Sequence, residues 1–255
     1  MCLIAWNWQP DQDIPLLLIA NRDEFYARPA LPLHWWETQG ILAGQDVQAG
    51  GTWLGVSPSG RLAALTNYRA PTEQRNNTPS RGELVSYFLT SHLDSPSFLK
   101  ALAPQAGDYN PFNLLVFDGQ RLMGLESRSK QPLDLAPGIG AVSNADFQTP
   151  WPKLSRLKQE LQTLSEAGQT DDASLLKLLQ DRRIAPDVDL PNTGIALHME
   201  RALAATFIAT PDYGTRACSV IRLGQQHIDF LEHSFDAHGP VGEQRQNFPS
   251  KQTRR

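Results

Sequence analysis

The sequence has little cysteine and no long apolar run. Only Cys2 and Cys218 occur among its 255 residues, too few for a disulfide scaffold, and we expect free thiols in a reducing cytoplasm. The apolar run at residues 16–20 is far shorter than the roughly 20 residues that a membrane-spanning helix needs. The N-terminal residues also lack the basic and apolar segments of a secretory signal. We therefore predict a cytoplasmic protein without a transmembrane segment.

An excess of basic charge is also missing. The formal net charge is -4, and no basic stripe follows the chain, which argues against a nucleic-acid partner. Neither cysteine has a CxxC partner and the histidines are scattered, so we predict no metal site and no cofactor. Hydrophobic residues make up 40% of the chain, enough for a packed core. We predict one domain over residues 1–238 and, because apolar residues become few, a loosely ordered tail over residues 239–255.

Hairpins dominate the predicted secondary structure. Strong turn signals such as Asp118-Gly119 separate short apolar segments, which predicts antiparallel pairing. Blocks of strands alternate with blocks of amphipathic helix, which indicates an α+β fold, a four-layer αββα sandwich. The prolines and polar residues of segment 26–39 predict a loop. Strands are predicted at residues 2–8, 15–20, 52–57, 61–68, 112–117, 121–126, 217–223 and 227–232, with another ending at Val142, and helices at 153–166 and after residues 80, 95 and 172.

Cys2 stands directly behind the initiator on a predicted strand. Most cysteines are small buried hydrophobic residues, and that interpretation needs no further explanation. Removal of Met1, expected before a small residue, would instead give Cys2 a thiol and a free α-amine on one residue. An α-amine titrates near neutrality and can accept the thiol proton, so no histidine is needed for a nucleophile of this kind.

The second predicted strand ends in Asn-Arg-Asp-Glu, residues 21–24. A polar strand end is commonly no more than a solvated one. An antiparallel neighbour of the first strand, however, brings this end close to Cys2. Alternation places Asn21 and Asp23 on one face and Arg22 and Glu24 on the other. A guanidinium close to a thiol lowers the pKa of that thiol, and the sequence leaves open which of these residues reach Cys2.

Three more polar residues stand at or near predicted strand ends: Asn67, Asn144 and Arg216. A side-chain amide can donate to the oxyanion of an acyl-transfer intermediate. Asparagine is also common in ordinary turns, and an isolated arginine is most often a surface ion-pair partner. Each of these residues has an ordinary structural explanation, and only the three together indicate a catalytic site.

The motifs MCLI, LLLIANRDEF, GGTWLGVSPSGRLAALTNYR, AVSNA and YGTRACSVI together resemble the NRDE family, the transport and Golgi organisation proteins. The resemblance extends from residue 2 to about residue 235. That family is similar in layout to N-terminal nucleophile hydrolases with a cysteine nucleophile, such as bile salt hydrolases and penicillin V acylases. The resemblance implies the same αββα sandwich.

The resemblance also implies roles for individual residues. Cys2 resembles the nucleophile, Asn67 and Asn144 the asparagines of the hydrolase site, and Arg216 its late arginine. The hydrolases carry Arg-Asn-x-Asp on the second strand, so the match is either to Arg22 or to Glu24. The implied catalytic set is Cys2, Arg22, Asp23, Asn67, Asn144 and Arg216, with Asn21, Glu24, Trp53 and Tyr68 contacting substrate.

Two functions follow from the resemblance. The first is hydrolysis of a linear amide, with an acyl amide as substrate. The second is non-catalytic binding or trafficking of an amphipathic ligand, such as haem or an acyl lipid. For such a carrier, aromatic residues would form the walls of the binding site: Trp35, Trp36, Trp53 and Tyr68.

Overall fold

The computed structural model describes residues 2–69 and 74–251, and its strands form two antiparallel sheets. The strands are, in chain order, Cys2–Trp8 (β1), Leu16–Phe25 (β2), Ala30–Trp36 (β3), Ile41–Asp46 (β4), Leu54–Val56 (β5), Leu62–Asn67 (β6), Phe112–Phe117 (β7), Leu122–Glu126 (β8), Gln131–Asp134 (β9), Gly138–Val142 (β10), Tyr213–Leu223 (β11), His227–Asp236 (β12) and Gly239–Pro249 (β13). Within the described residues, one sheet has the order β10-β1-β2-β11-β12-β13 and the other runs from β3 to β9 in sequence order.

Helices cover the outer face of each sheet. They are Glu83–Thr90 (α1), Ser95–Leu102 (α2), Pro152–Glu166 (α3), Asp172–Leu179 (α4) and the short Leu197–Ala202 (α5). The apolar sides of α1 and α2 pack on the sheet that contains β6 and β7. Those of α3 and α4 pack on the sheet that contains β1 and β2. This arrangement confirms the predicted αββα sandwich.

No helix in the described part of the chain is long and apolar enough to cross a membrane.

Side-chain alternation in β1 and β2 separates two apolar cores. Ile4, Trp6 and Leu18 belong to the core between the sheets, which also draws residues from β4 to β8. Leu3 and Ile19 belong to the core under α3 and α4. Successive residues of a strand point to opposite faces, so the same alternation assigns each residue of the polar run at 21–24 to one side of the sheet.

Segment 26–39, predicted as a loop, contains strand β3. Its pairing with β4 shifts register between Leu31 and His34, and Pro32 lies within that irregularity. A proline is tolerated at an edge strand or bulge, because the missing N–H is not needed there. Leu33 is buried and joins the core between the sheets. The prolines therefore mark an irregular edge strand rather than the absence of a strand.

The tail predicted as loosely ordered from Gly239 is, over its first part, strand β13. It pairs with β12 from Asp236↔Gly239 to His227↔Pro249. Its side chains are mostly exposed, so the strand contains few of the apolar residues by which a sequence pattern indicates a strand. Backbone hydrogen bonds and the ion pair between Arg245 and Asp229, at 2.9 Å, hold it instead. The last residues, 252–255, lie outside the described ranges.

Candidate active site

A cavity of about 810 Å³ opens between the two sheets at the ends of β1, β2 and β6. Pockets of this size are typical of small-molecule sites. The structure brings most of the predicted site residues to its wall: Cys2, Arg22, Asp23, Glu24, Trp53, Asn67 and Arg216. Three other predicted residues do not line it: Asn21, Tyr68 and Asn144.

Cys2 begins β1 and pairs in register with Arg22 of β2. The side chain is buried, with 7% of its surface exposed, and it shares the face of Ile4. Burial raises the pKa of the Cys2 thiol to about 11, although the nearby Arg22 guanidinium acts in the opposite direction. The thiol is therefore protonated at neutral pH, and attack on a substrate requires a base. The predicted removal of Met1 falls outside the described residues.

The structure settles the orientation of the polar run. Arg22 and Glu24 point into the space between the sheets, where the Arg22 Nη2 lies 3.3 Å from Asp46 Oδ2 and 4.0 Å from Glu24 Oε2. Arg28 approaches the same Asp46 oxygen at 2.6 Å. Asp46 thus neutralises part of the charge of two guanidinium groups at the cavity wall.

Asn21 and Asp23 point toward the helices. The Asn21 amide nitrogen donates to Leu179 O at 2.7 Å and to Thr206 O at 2.9 Å, so the predicted substrate-binding residue instead ties β2 to the helical layer. The Thr215 hydroxyl donates to Asp23 Oδ1 at 2.8 Å. Burial raises the pKa of Asp23 above its usual range.

Lys153, on the apolar side of α3, lies close to Asp23. Burial lowers the pKa of the Lys153 ammonium to about 8, and Asp23 opposes that shift. Its Nζ donates to Leu203 O at 2.9 Å. Sequence reasoning missed this residue, although the helical spacing of Lys153, Leu157 and Leu161 places all three on one stripe.

The two predicted oxyanion asparagines meet, but only one lines the cavity. Asn67 ends β6 and lines the cavity, while the fully buried Asn144 donates from Nδ2 to Asn67 O at 2.7 Å. The Ser143 hydroxyl donates to Asn144 Oδ1 at 3.1 Å and lies 3.3 Å from Cys2 O. Asn144 therefore joins the end of β6 to the segment beside Cys2.

Arg216 lies at an irregularity of β11, where the register with β2 shifts between Thr215 and Ala217. Its guanidinium donates to backbone oxygens at 3.0–3.2 Å: those of Phe25, Tyr26, Arg28 and Phe235. The predicted alternative, a surface ion pair, does not describe Arg216, because its partners are backbone oxygens. Arg216 holds the turn that follows β2 against the cavity.

Glu232 is a cavity residue that sequence reasoning missed. Its carboxylate is buried, and Oε1 accepts a hydrogen bond of 2.9 Å from Leu33 N in the facing sheet. Burial raises the pKa of Glu232 to about 7, against the effect of the Arg22 charge. A signal was present, because the alternation of Ile228 and Phe230 along the predicted strand puts Glu232 on the inner face.

The proposed aromatic walls of a carrier are not assembled on one surface. Trp35 packs on Phe248 with ring centroids 4.9 Å apart, on the side of the core between the sheets. Trp36 packs on the opposite face, against the core under α1 and α2. Arg128 lies over the Tyr68 ring at 4.8 Å. Of these aromatic residues, Trp53 lines the cavity. Among residues 2–69 and 74–251, no group of three or more His, Cys, Asp or Glu side chains could hold a metal ion.

Comparison with known proteins supports both the fold and the family. The model of the family Transport and Golgi organisation 2 matches residues 1–237. Transport and Golgi organization protein 2 homolog from Bos taurus is 38% identical over 264 residues, covering 94% of this chain and 95% of that protein. The Homo sapiens homolog is 38% identical over 257 residues, covering 92% of this chain and 93% of the homolog.

Among solved structures, a variant of conjugated bile acid hydrolase from Clostridium perfringens aligns with a TM-score of 0.50 at 9% sequence identity, covering 100% of this chain and 99% of that one. At that identity the likeness shows the fold alone, which is that of the N-terminal nucleophile hydrolases. The sequence resemblance stated from the motifs is thereby confirmed, and the chain belongs to the Transport and Golgi organisation 2 family.

Proposed function

We propose that this protein hydrolyses linear amide bonds, with Cys2 as the nucleophile after removal of Met1. The observation that carries the proposal is convergence: Cys2, Asn67 and Arg216 come from separate strands and line one cavity with Arg22. A buried thiol that served packing alone needs no cavity and no adjacent guanidinium.

The chemistry needs no group beyond these residues and water. The α-amine of Cys2 takes the thiol proton, and the sulfur attacks the amide carbonyl carbon. The Asn67 side-chain amide donates to the oxyanion of the tetrahedral intermediate. The C–N bond then breaks, and the amine leaves with the proton returned by the α-ammonium. Water, deprotonated by the same amine, cleaves the thioester and regenerates the thiol.

Electrostatics explain why the free amine matters. The Cys2 thiol, with a pKa raised to about 11 by burial, gives little thiolate by itself at neutral pH. An α-amine titrates near 7.7–8.0 in exposed chains. The two groups on one residue titrate as a coupled pair, and Arg22 beside the sulfur favours the charged thiolate.

We place this chemistry in the cytoplasm, because both cysteines are free thiols.

A carrier of haem or an acyl lipid is the competing function. The description of the family, Transport and Golgi organisation 2, favours this function. A carrier accounts for the cavity but gives no role to a cysteine at the start of β1. It also predicts an aromatic wall, to which Trp53 alone of the four predicted residues contributes.

The test uses full-length protein whose intact mass shows that Met1 has been removed. Wild type, Cys2→Ala and Cys218→Ala are offered a panel of acyl amides, and released amine and covalent acyl adducts are measured by mass spectrometry. We expect turnover and an acyl adduct on Cys2 in wild type and Cys218→Ala, and loss by several orders of magnitude in Cys2→Ala. Absence of turnover and adduct in wild type, together with equal binding of haem or an acyl chain by wild type and Cys2→Ala, establishes the carrier instead.

A further inference from the structure

The charged residues around the cavity include more guanidinium groups than ionised carboxylates. The arginines are Arg22, Arg28, Arg75, Arg81 and Arg216, and the acids are Asp23, Glu24, Asp46 and Glu232. The Asp23 side chain points toward the helices, where the Thr215 hydroxyl donates to it, so its carboxyl group is directed away from the cavity. Burial also raises the pKa of Glu232 to about 7. The acids therefore offset less of the guanidinium charge than their number suggests, and the cavity favours an anion.

Most of these arginines already have their charge or their donors engaged. Arg22 and Arg28 share the Asp46 carboxylate. Arg216 donates to several backbone oxygens around the turn after β2. Arg75 donates to the backbone oxygens of Gly107 and Tyr109. Through these contacts the four guanidinium groups stabilise the wall of the cavity.

Arg81 has fewer of its donors engaged. Among the described residues its guanidinium makes a single hydrogen bond, from Nη1 to Pro111 O at 3.0 Å, and the cavity carboxylates of Glu24 and Asp46 pair with Arg22 and Arg28 instead. Burial lowers the pKa of Arg81, while the Cys2 and Glu24 charges act to raise it, and both Arg81 and Cys2 line the cavity. A partly buried cation without an acidic partner retains the capacity to bind an anion.

The backbone around Arg81 is held firmly against the cavity wall. Thr52 N donates to Gly82 O at 3.2 Å. A Cβ built on Gly51 would lie 2.7 Å from the Gly82 carbonyl carbon, and one on Gly82 would lie 3.0 Å from Thr52 O. Glycine at both positions permits this close backbone approach. The contact fixes the backbone of Arg81 beside the segment that carries Trp53, and the hydrogen bond to Pro111 O orients its guanidinium.

We propose that Arg81 binds an anionic group of the ligand, so that the substrate class is acyl amides that carry a carboxylate or a phosphate. The planar guanidinium matches either group through paired hydrogen bonds. The ligand is a substrate only if the protein hydrolyses amides, so this part of the inference rests on the proposed function. The binding preference itself concerns the cavity and requires no turnover.

The test measures binding to full-length Cys2→Ala protein by isothermal titration calorimetry. N-octanoylglycine is compared with N-octanoylglycinamide, and N-octanoyl-phosphoethanolamine with N-octanoylethanolamine, so each pair differs in the anionic group. We expect the anionic member to bind at least about tenfold more tightly, as for a charge-assisted hydrogen-bonded pair. Arg81→Gln, added to Cys2→Ala, should abolish that preference while leaving the affinity for the neutral member unchanged. The pair with the larger preference identifies carboxylate or phosphate as the group.

Arg121→Gln is the matched control, because Arg121 pairs with Asp134 on the exposed surface. It should leave the preference intact. Arg81→Lys keeps the charge without the paired geometry and should retain a reduced preference, which covers the case in which Arg81→Gln does not fold. Equal binding of anionic and neutral ligands by the parent protein overturns the proposal, and so does a preference that survives in Arg81→Gln. Either result leaves the turnover test of Cys2 unaffected.

Discussion

The two faces of β2 carry polar residues with different surroundings. On the helix side, Asn21 donates to two backbone oxygens and Asp23 accepts from Thr215. On the cavity side, Arg22 and Glu24 line the cavity, and Arg22 lies opposite Cys2 in the pairing of β1 with β2. Neighbours in one four-residue run thus serve packing on one side and face a cavity on the other.

The two cysteines repeat this division. Cys218 pairs in register with Asn21 and belongs to the core under α3 and α4, whereas Cys2 faces the cavity. Burial raises the pKa of both thiols. The comparison teaches that burial by itself does not separate a structural group from a functional one, and that access to a cavity and an adjacent charge do.

The largest expected difference is in thiol reactivity. With Met1 removed, we expect iodoacetamide at neutral pH to alkylate Cys2 about a thousandfold faster than Cys218, which is fully buried and inaccessible. With Met1 retained, the Cys2 rate should rise about tenfold per pH unit toward its pKa of about 11. Peptide mass spectrometry resolves both sites. Equal rates for the two thiols in folded protein would remove the distinction between the faces.

Asn21→Ala probes the helix side. It removes the donors to Leu179 O and Thr206 O and leaves buried acceptors unpaired, so we expect a loss of about 2–4 kcal/mol in the free energy of unfolding. Urea denaturation measures it, and ligand binding in the cavity should not change. An unaltered unfolding midpoint would mean that the helix-side contacts contribute little.

Glu232→Gln tests the buried ionisable group that lines the cavity. Because the folded pKa of Glu232 is raised to about 7, its contribution to stability is complete below the ordinary glutamate pKa and is lost as pH rises to about 7. Wild type should therefore lose about 3 kcal/mol relative to Glu232→Gln between pH 4.5 and pH 8. Denaturation of both proteins across that range gives the difference, and a gap that does not vary with pH contradicts the assignment.

The smallest effect is expected for Glu24→Gln. The Glu24 carboxylate is partly exposed and lies 3.9 Å from Arg28 Nε, so the free energy of unfolding should fall by less than about 1 kcal/mol. The difference between the losses in free energy of unfolding for Glu24→Gln and Asn21→Ala compares the two faces directly, since both residues belong to one strand. A loss as large as that of Asn21→Ala would show that the cavity side is equally structural.

Sequence reasoning located the elements better than the contacts. Helical periodicity correctly indicated α3, and the hairpin signal at Asp118-Gly119 correctly joined β7 to β8. It missed β3, whose Pro32 lies in a bulge, β13, whose side chains are mostly exposed, and also β4 and β9. Of these, β3, β9 and β13 are edge strands held through backbone pairing, which leaves a weak trace in side-chain patterns.

For the site, the sequence identified the residue types but not their partners. It singled out Cys2, Asn67 and Arg216, which the structure brings to one cavity. It could not find Arg81, because the residue stands in a segment without periodicity and its position depends on the contact between Gly51 and Gly82.

By itself, the sequence determined the alternation of apolar residues, hence the two sheets, and the placement of Asn21 and Asp23 on one face with Arg22 and Glu24 on the other. Only the tertiary structure decided which face meets the cavity. That choice follows from the register of Cys2 with Arg22 and from the closure of the second sheet over one side. A strand pattern has period two whichever side is covered, so the side that receives the helices is set by contacts between residues far apart in the chain.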